Sequence, residues 1–179
     1  LLCWLQSILP PQDRRDLPEP TTPLPEGKDI VVTNNSNSEP GSLRQALEEA
    51  KPYDTILFDP SVFPPDAPET ILIANEPLRL VQGHITIDAS SAGVILDGSS
   101  YPRDTWDPCL EVGSNGNIIM GLQVFNCTGA GIVVNGKNNT IGGDREVGEG
   151  PIGQGNLSSG NGVGIGVWGA NAENNIIAG

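Results

Sequence analysis

Aromatic side chains are scarce: Phe, Trp and Tyr together make up 4% of the chain. A core of bulky rings is thereby excluded, and small and aliphatic residues must fill the interior. Cations are also few, with nine Lys and Arg against 22 Asp and Glu and a net charge of −13. Such a surface repels a phosphate backbone, which argues against nucleic acid as a partner. One histidine, His84, and three cysteines cannot build a Cys/His zinc centre. Cys109 and Cys127 leave a disulfide open as a reading, although buried free thiols are the blander one and are favoured. Long apolar runs are missing too. The opening LLCWLQSIL ends at Leu9, too short to span a bilayer. It has neither an initiator Met nor a basic leader, and reads as the tail of an export signal or anchor, or simply as an apolar end. A Pro-rich charged stretch follows, so residues 1–28 form an apolar end plus linker.

What the chain does contain is turn chemistry, with 23 Gly and 16 Pro in 179 residues. That length suffices for one sizeable core, assigned to residues 29–179. The acidic residues lie mostly before position 112, and the last third is rich in Gly, Asn, Ile and Val. DIVVTNNSNS reads as a strand entering a polar turn. In GSLRQALEEAKP, Leu43, Ala46, Leu47 and Ala50 recur at helical spacing, while Ser42 and Gln45 form a capping-box pattern. The spacing predicts a short helix over 42–51. After it, strand-length apolar runs alternate with turns: TILFD, TILIA, HITID, VILDG, CLEV, NIIMGLQVF, GIVV, NTI, GIGVW and NII.

These runs repeat. Leu110 and Val112 match Ile132 and Val134 at an offset of 132 − 110 = 22, and Asn117 and Ile119 match Asn139 and Ile141 at the same offset. Ile132 and Val134 match Ile165 and Val167 at 165 − 132 = 33, the excess falling in DREVGEGPIGQ. A fixed period with insertions confined to turns predicts a solenoid, about three short strands to a coil. Leu110, Ile132 and Ile165 should then form one inward column, and Val112, Val134 and Val167 another. Asn117, Asn139 and Asn175 should align at one turn, where stacked amides can hydrogen-bond.

With this pattern in hand, the chain resembles the right-handed parallel β-helix proteins of the pectate-lyase-like superfamily. The stretch VVTNNSNSEPGSLRQALEEAKPYDTILFDPSVF resembles the N-terminal segment of a bacterial surface-protein group within it, in which GSLRQA…DTIxFDP precedes the coils. Pro52-Tyr53 departs from the small residue or Gly usual there. The resemblance implies an all-β, right-handed parallel β-helix whose short helix caps the first coil. It also implies an extracellular or cell-surface protein. Superfamily members include adhesins, polysaccharide lyases and glycoside hydrolases, so fold alone does not select the chemistry.

The loop SSYPRDTWDP offers Tyr101, Arg103, Asp104, Trp106 and Asp107, and strand alternation points Trp168 outward. Aromatic faces flanked by carboxylates and a guanidinium suit sugar rings, which makes these six the candidate carbohydrate contacts. The plainer alternative folds Trp106 back over a coil corner. Asp88 and Asp97 are the alternative carboxylates for a glycosidase-like pair, although Asp-Gly is common turn chemistry. Asp144, Glu146 and Glu149 are weak calcium candidates against a solvated acidic loop, and no other cofactor is implied. Gly164, Gly166 and Gly169 spell GxGxxG, but no helix is expected after them, so they read as coil corners. The favoured function is a non-catalytic stalk or carbohydrate-contact surface. The alternative is part of a polysaccharide lyase or glycoside hydrolase. The end of the sequence falls within a coil, so further coils of the same chain, or self-association at that edge, are expected partners.

Overall fold

The computed structural model describes residues 26–102 and 104–179. Most of the apolar end and linker, and Arg103 among the candidate contacts, lie outside the described residues. The strands are β1 (Asp29–Val32), β2 (Thr55–Phe58), β3 (Glu69–Leu72), β4 (Leu78–Leu80), β5 (Thr86–Asp88), β6 (Val94–Asp97) and β7 (Leu110–Val112). They continue as β8 (Ile118–Met120), β9 (Leu122–Phe125), β10 (Ala130–Val134), β11 (Thr140–Ile141), β12 (Leu157–Ser159), β13 (Val163–Val167) and β14 (Ile176–Ile177). One helix, α1 (Leu43–Glu49), lies between β1 and β2.

Among the described residues every strand pairing is parallel, within three sheets. Sheet A has the order β1-β2-β5-β8-β11-β14, sheet B β12-β9-β6-β3 and sheet C β13-β10-β7-β4. From β2 onward, consecutive strands visit A, B and C in rotation, so the chain forms an all-β parallel solenoid with three strands to a coil. Neither β4 nor β12 was expected from sequence, because Leu-Arg-Leu and Leu-Ser-Ser are too short and too polar to show a period. NIIMGLQVF divides in two at Gly121, which has φ +77° and turns the chain from sheet A into sheet B. A Cβ there would lie 2.3 Å from the Ala89 carbonyl carbon, so the corner excludes side chains.

The core is a set of aliphatic columns. Leu78, Leu110, Ile132 and Ile165 are in register on sheet C, and Leu80, Val112, Val134 and Val167 form the next column. Ile71, Leu96 and Val124 stack on sheet B, and Ile56, Ile87, Ile119 and Ile141 on sheet A. All but Ile165 and Val167 of the last sheet C rung are buried. The alignment inferred from the repeat is therefore observed as strand register.

Helix α1 stands where the first coil lacks strands in sheets B and C. Its buried Leu43, Ala46 and Leu47 face the core, and it packs on β4 and β1. Ser42 caps it, its hydroxyl accepting from the Gln45 amide, while the Gln45 carboxamide accepts from the Gly41 amide at 2.6 Å. The Arg44 guanidinium donates to the carbonyls of Asn37, Glu76 and Pro77, tying the helix to the turn before β4.

A second kind of column runs up the corner before sheet A. The Asn117 side-chain oxygen accepts from the Ile85 amide, that of Asn139 from the Asn117 amide at 2.8 Å, and that of Asn175 from the Asn139 amide at 2.9 Å. Asp54 occupies the same position one rung below Ile85 and accepts from the Lys28 amide at 2.9 Å, so the column begins with a carboxylate. Its other oxygen accepts from the Lys51 amide. Burial pushes the Asp54 carboxyl up, but the two amides and the ammonium groups of Lys28 and Lys51 outweigh it and hold the carboxyl below its ordinary value.

A carboxyl depressed in the folded state contributes stability that is complete above its unfolded value, about 3.9, and is lost as pH falls through the lower folded value. The Asp54→Asn variant should accordingly be less stable than the parent at pH 6, with the gap closing as pH falls below the unfolded value of about 3.9. Urea midpoints of both proteins measured from pH 6 to pH 2 check this; a pH-independent gap would contradict it.

Candidate functional site

Loop 99–108 leaves the end of β6 and returns at Cys109, just before β7. Asp97 opens it, its carboxylate accepting from the Ser99 amide at 2.7 Å. Tyr101 turns inward and is 4% exposed, its hydroxyl donating to the Pro108 carbonyl at 3.2 Å. Burial pushes that hydroxyl's pKa up, and the neighbouring Asp107 carboxylate adds to the effect. Tyr101 is therefore a packing residue and not a surface sugar contact.

The return strand of the loop is fixed to the next coil. The Asp107 amide donates to the Thr128 hydroxyl at 3.3 Å, and the Gly129 amide donates to the Asp107 carbonyl at 2.9 Å. Cys109 and Cys127 form a disulfide, with Cα atoms 5.6 Å apart. This corrects the expectation of free thiols. The coil places position 109 beside the corner of the following rung, a proximity that spacing in sequence does not reveal. An open cleft of about 520 Å³ lies along this corner, with Ser99, Tyr101, Asn126, Thr128 and Asn161 on its walls.

Loss of the disulfide, by Cys109→Ser with Cys127→Ser, should lower stability by about 2–3 kcal/mol, the scale for a closed loop of this size. Urea unfolding with and without reductant measures it. The double variant should unfold at the same midpoint under both conditions, while the parent shifts to meet it.

Trp106 is carried by this pinned loop, with its backbone against Gly129, where an added Cβ would come within 2.9 Å of the Trp106 carbonyl carbon. Trp168 follows β13, its amide donating to the Val134 carbonyl at 3.0 Å. Its indole folds back over Gly166, where an added Cβ would come within 2.5 Å of Cζ2. The two rings meet with centroids 5.0 Å apart and planes tilted by 40°. Trp106 is 56% exposed and Trp168 38%, so the pair presents ring surface to solvent. In the same loop Asp104 is exposed and Asp107 half-buried.

The same register that aligns the inward columns aligns an outward row on sheet C: Arg79, Glu111, Val133 and Gly166. Arg79 and Glu111 form an ion pair through NH1 and Oε2. The Asn135 carboxamide donates to the other oxygen, Oε1, at 3.1 Å. Val133 is buried although it points outward, and lies beside Gly166 on which the Trp168 ring rests. Arg79 is one of two basic residues between positions 52 and 136, and no motif in the sequence marks Glu111 or Asn135. The offset of 22 from Glu111 to Val133 is the available signal, but a glutamate and a valine share no chemistry that would mark it as a repeat.

The other candidates are dispersed. Asp88 lies on sheet A and Asp97 on sheet B, and each carboxylate accepts from the amide two residues on, Ser90 and Ser99 respectively. They are turn residues and not a facing pair, because consecutive strands belong to different sheets. Asp144 likewise accepts from the Glu146 amide, and among the described residues no group of three or more His, Cys, Asp or Glu is placed to hold a metal ion. That leaves Asp144, Glu146 and Glu149 as an acidic turn. His84 sits exposed at φ +60° and stacks on Tyr53 with centroids 5.2 Å apart. Gly164 and Gly166 lie within β13, with no helix after them. Among the described residues, no helix is long and apolar enough to cross a membrane.

Comparison of the chain with protein families, with curated proteins and with solved structures finds no match.

Proposed function

We propose that this chain is a non-catalytic segment of an exported or cell-surface protein. In this reading its coils form a right-handed parallel β-helix of the pectate-lyase-like kind and present a carbohydrate-contact surface. Parallel crossover connections between strands of one sheet are right-handed in nearly all proteins, which supports the handedness. The GSLRQA…DTILFDP segment supports the surface-protein assignment, and in this fold it supplies α1, which covers the start of the core, and β2.

The observation that carries the carbohydrate reading is the Trp106–Trp168 pair. Two residues remote in sequence converge as exposed, tilted rings, and Asp104 and Asp107 flank Trp106 in the same loop. Stacking on a ring's C–H face and hydrogen bonding at its rim are what such a mixture provides. The turn roles of Asp88 and Asp97 favour binding over hydrolysis, since both carboxylates are engaged by backbone amides in separate sheets.

Incubation of the chain with insoluble polysaccharides, followed by sedimentation and analysis of released sugars, tests both parts. Retention on a polysaccharide without new reducing ends or unsaturated products is expected, with or without calcium. Turnover of polyuronate that is lost on Asp88→Asn or Asp97→Asn would replace this reading with the enzymatic one.

A further inference from the structure

The outward face of sheet C combines three features. The first is the aromatic pair, resting on Gly166 of β13. The second is the row that continues from it through Val133 to Glu111 and Arg79, one residue on each successive rung. With strands about 4.8 Å apart, this row crosses the solenoid for about 14 Å from Gly166 to Arg79. The third is the state of Glu111. Its two oxygens are held by different partners, Arg79 and Asn135, so the carboxylate is fixed in orientation. An ionised carboxylate offers about four lone-pair positions, so acceptor capacity remains on both oxygens after these bonds. A side chain immobilised before binding loses little entropy on binding.

We propose that this face is a subsite for an uncharged oligosaccharide, with one sugar ring stacked on Trp106 and Trp168 and hydroxyls bonded by Glu111, Asn135 and Arg79. The proposal rests on the carbohydrate reading above and adds to it the chemical class of the ligand and the three residues that read its hydroxyls.

The absence of charge on the ligand follows from the electrostatics of the face. Glu111 lies on the row, Asp104 and Asp107 stand close to Trp106 in the sequence, and the net charge of the chain is −13. The Arg79 guanidinium is already matched by Glu111. A uronate or sulfate group would be brought against these carboxylates with no unmatched cation on this row, a repulsion that discriminates against it. A hydroxyl group meets no such cost, since it donates to a Glu111 oxygen or accepts from the Asn135 or Arg79 nitrogens.

Calorimetric titration of the full chain tests this with linear gluco-, manno-, xylo- and N-acetylglucosamine oligosaccharides as uncharged probes and oligogalacturonate as the charged one. At least one uncharged probe is expected to bind with an affinity indifferent to salt. Trp168→Ala should weaken it by about tenfold and Trp168→Phe by less, in keeping with the energy of an aromatic contact. Glu111→Ala should weaken it about three- to tenfold, and Glu111→Gln less, since the amide keeps one acceptor. Circular dichroism of each variant separates loss of binding from loss of fold. If oligogalacturonate binds in a Trp168-dependent manner and no uncharged probe does, the subsite proposal falls while the carbohydrate reading stands. Binding of an uncharged probe unaffected by Glu111→Ala also removes the subsite. If neither class binds, both readings fall together.

Discussion

Ile132→Asp should leave the chain unfolded, or stable only in the absence of denaturant, at 25 °C. Ile132 is fully buried in the middle of a column, with Leu110 on one side and Ile165 on the other. It belongs to the buried core, which also holds the fully buried Val134, Leu122 and Val124. No cation is among them to pair with a carboxylate. An unpaired charge there must either stay ionised in an apolar interior or take up a proton at neutral pH, and both cost several kcal/mol. Losses above about 4 kcal/mol consume much of the 5–15 kcal/mol by which a typical domain is stable. Ile132→Val, which removes one methylene and keeps the column, should cost only about 1 kcal/mol. Urea denaturation followed by far-ultraviolet circular dichroism compares the parent with the two variants. If Ile132→Asp proved as stable as Ile132→Val, this column would not be the core of the solenoid.

The second large effect is expected at Asn139, which is fully buried and joins three rungs. Its side-chain oxygen accepts from both the backbone amide and the carboxamide of Asn117, at 2.8 and 2.9 Å. Its side-chain nitrogen donates to the Ser114 carbonyl and to the Asn175 oxygen, each at 3.1 Å. Asn139→Ala removes these bonds and leaves the Asn117 amide, also buried, without its acceptor. Unsatisfied buried groups cost about 1–3 kcal/mol each, so a total loss near 4 kcal/mol is expected. Asn175→Ala, at the half-buried top of the column, should cost less, because water can replace the missing oxygen. Equal costs at the two positions, or a negligible cost at Asn139, would show that the ladder contributes no cooperative stability. Amide hydrogen exchange at Asn117 gives an independent reading, since its protection should fall sharply in the Asn139→Ala variant.

The aliphatic columns and the asparagine ladder were both legible in the sequence because each residue in them has one environment repeated at a fixed interval. Ile132 and Ile165 occupy the same place in successive coils, so a period in sequence becomes a neighbour in space. The helix cap was legible for a similar reason: Ser42 and Gln45 act on amides within four residues of themselves. Asp54 was missed as a member of the ladder although it does the same work as Asn117, because Ile85 interrupts the chemical pattern between them.

The loops obeyed no such rule. Tyr101 and Trp106 stand five positions apart in one turn, yet one is buried and the other is half open to solvent. Only the packing of that loop against Thr128, Gly129 and the Cys109–Cys127 disulfide decides between them. Likewise the pairing of Trp106 with Trp168 depends on a glycine at 166 that leaves room for the indole to fold back. The sequence by itself determined most of the strands, their parallel stacking and the core, since a period is a local property that the chain states repeatedly; the short β4 and β12 escaped it. The tertiary structure alone decided which side chains of the non-repeating segments converge, because those contacts are made once, across rungs, and are set by the shape that the repeats have already built.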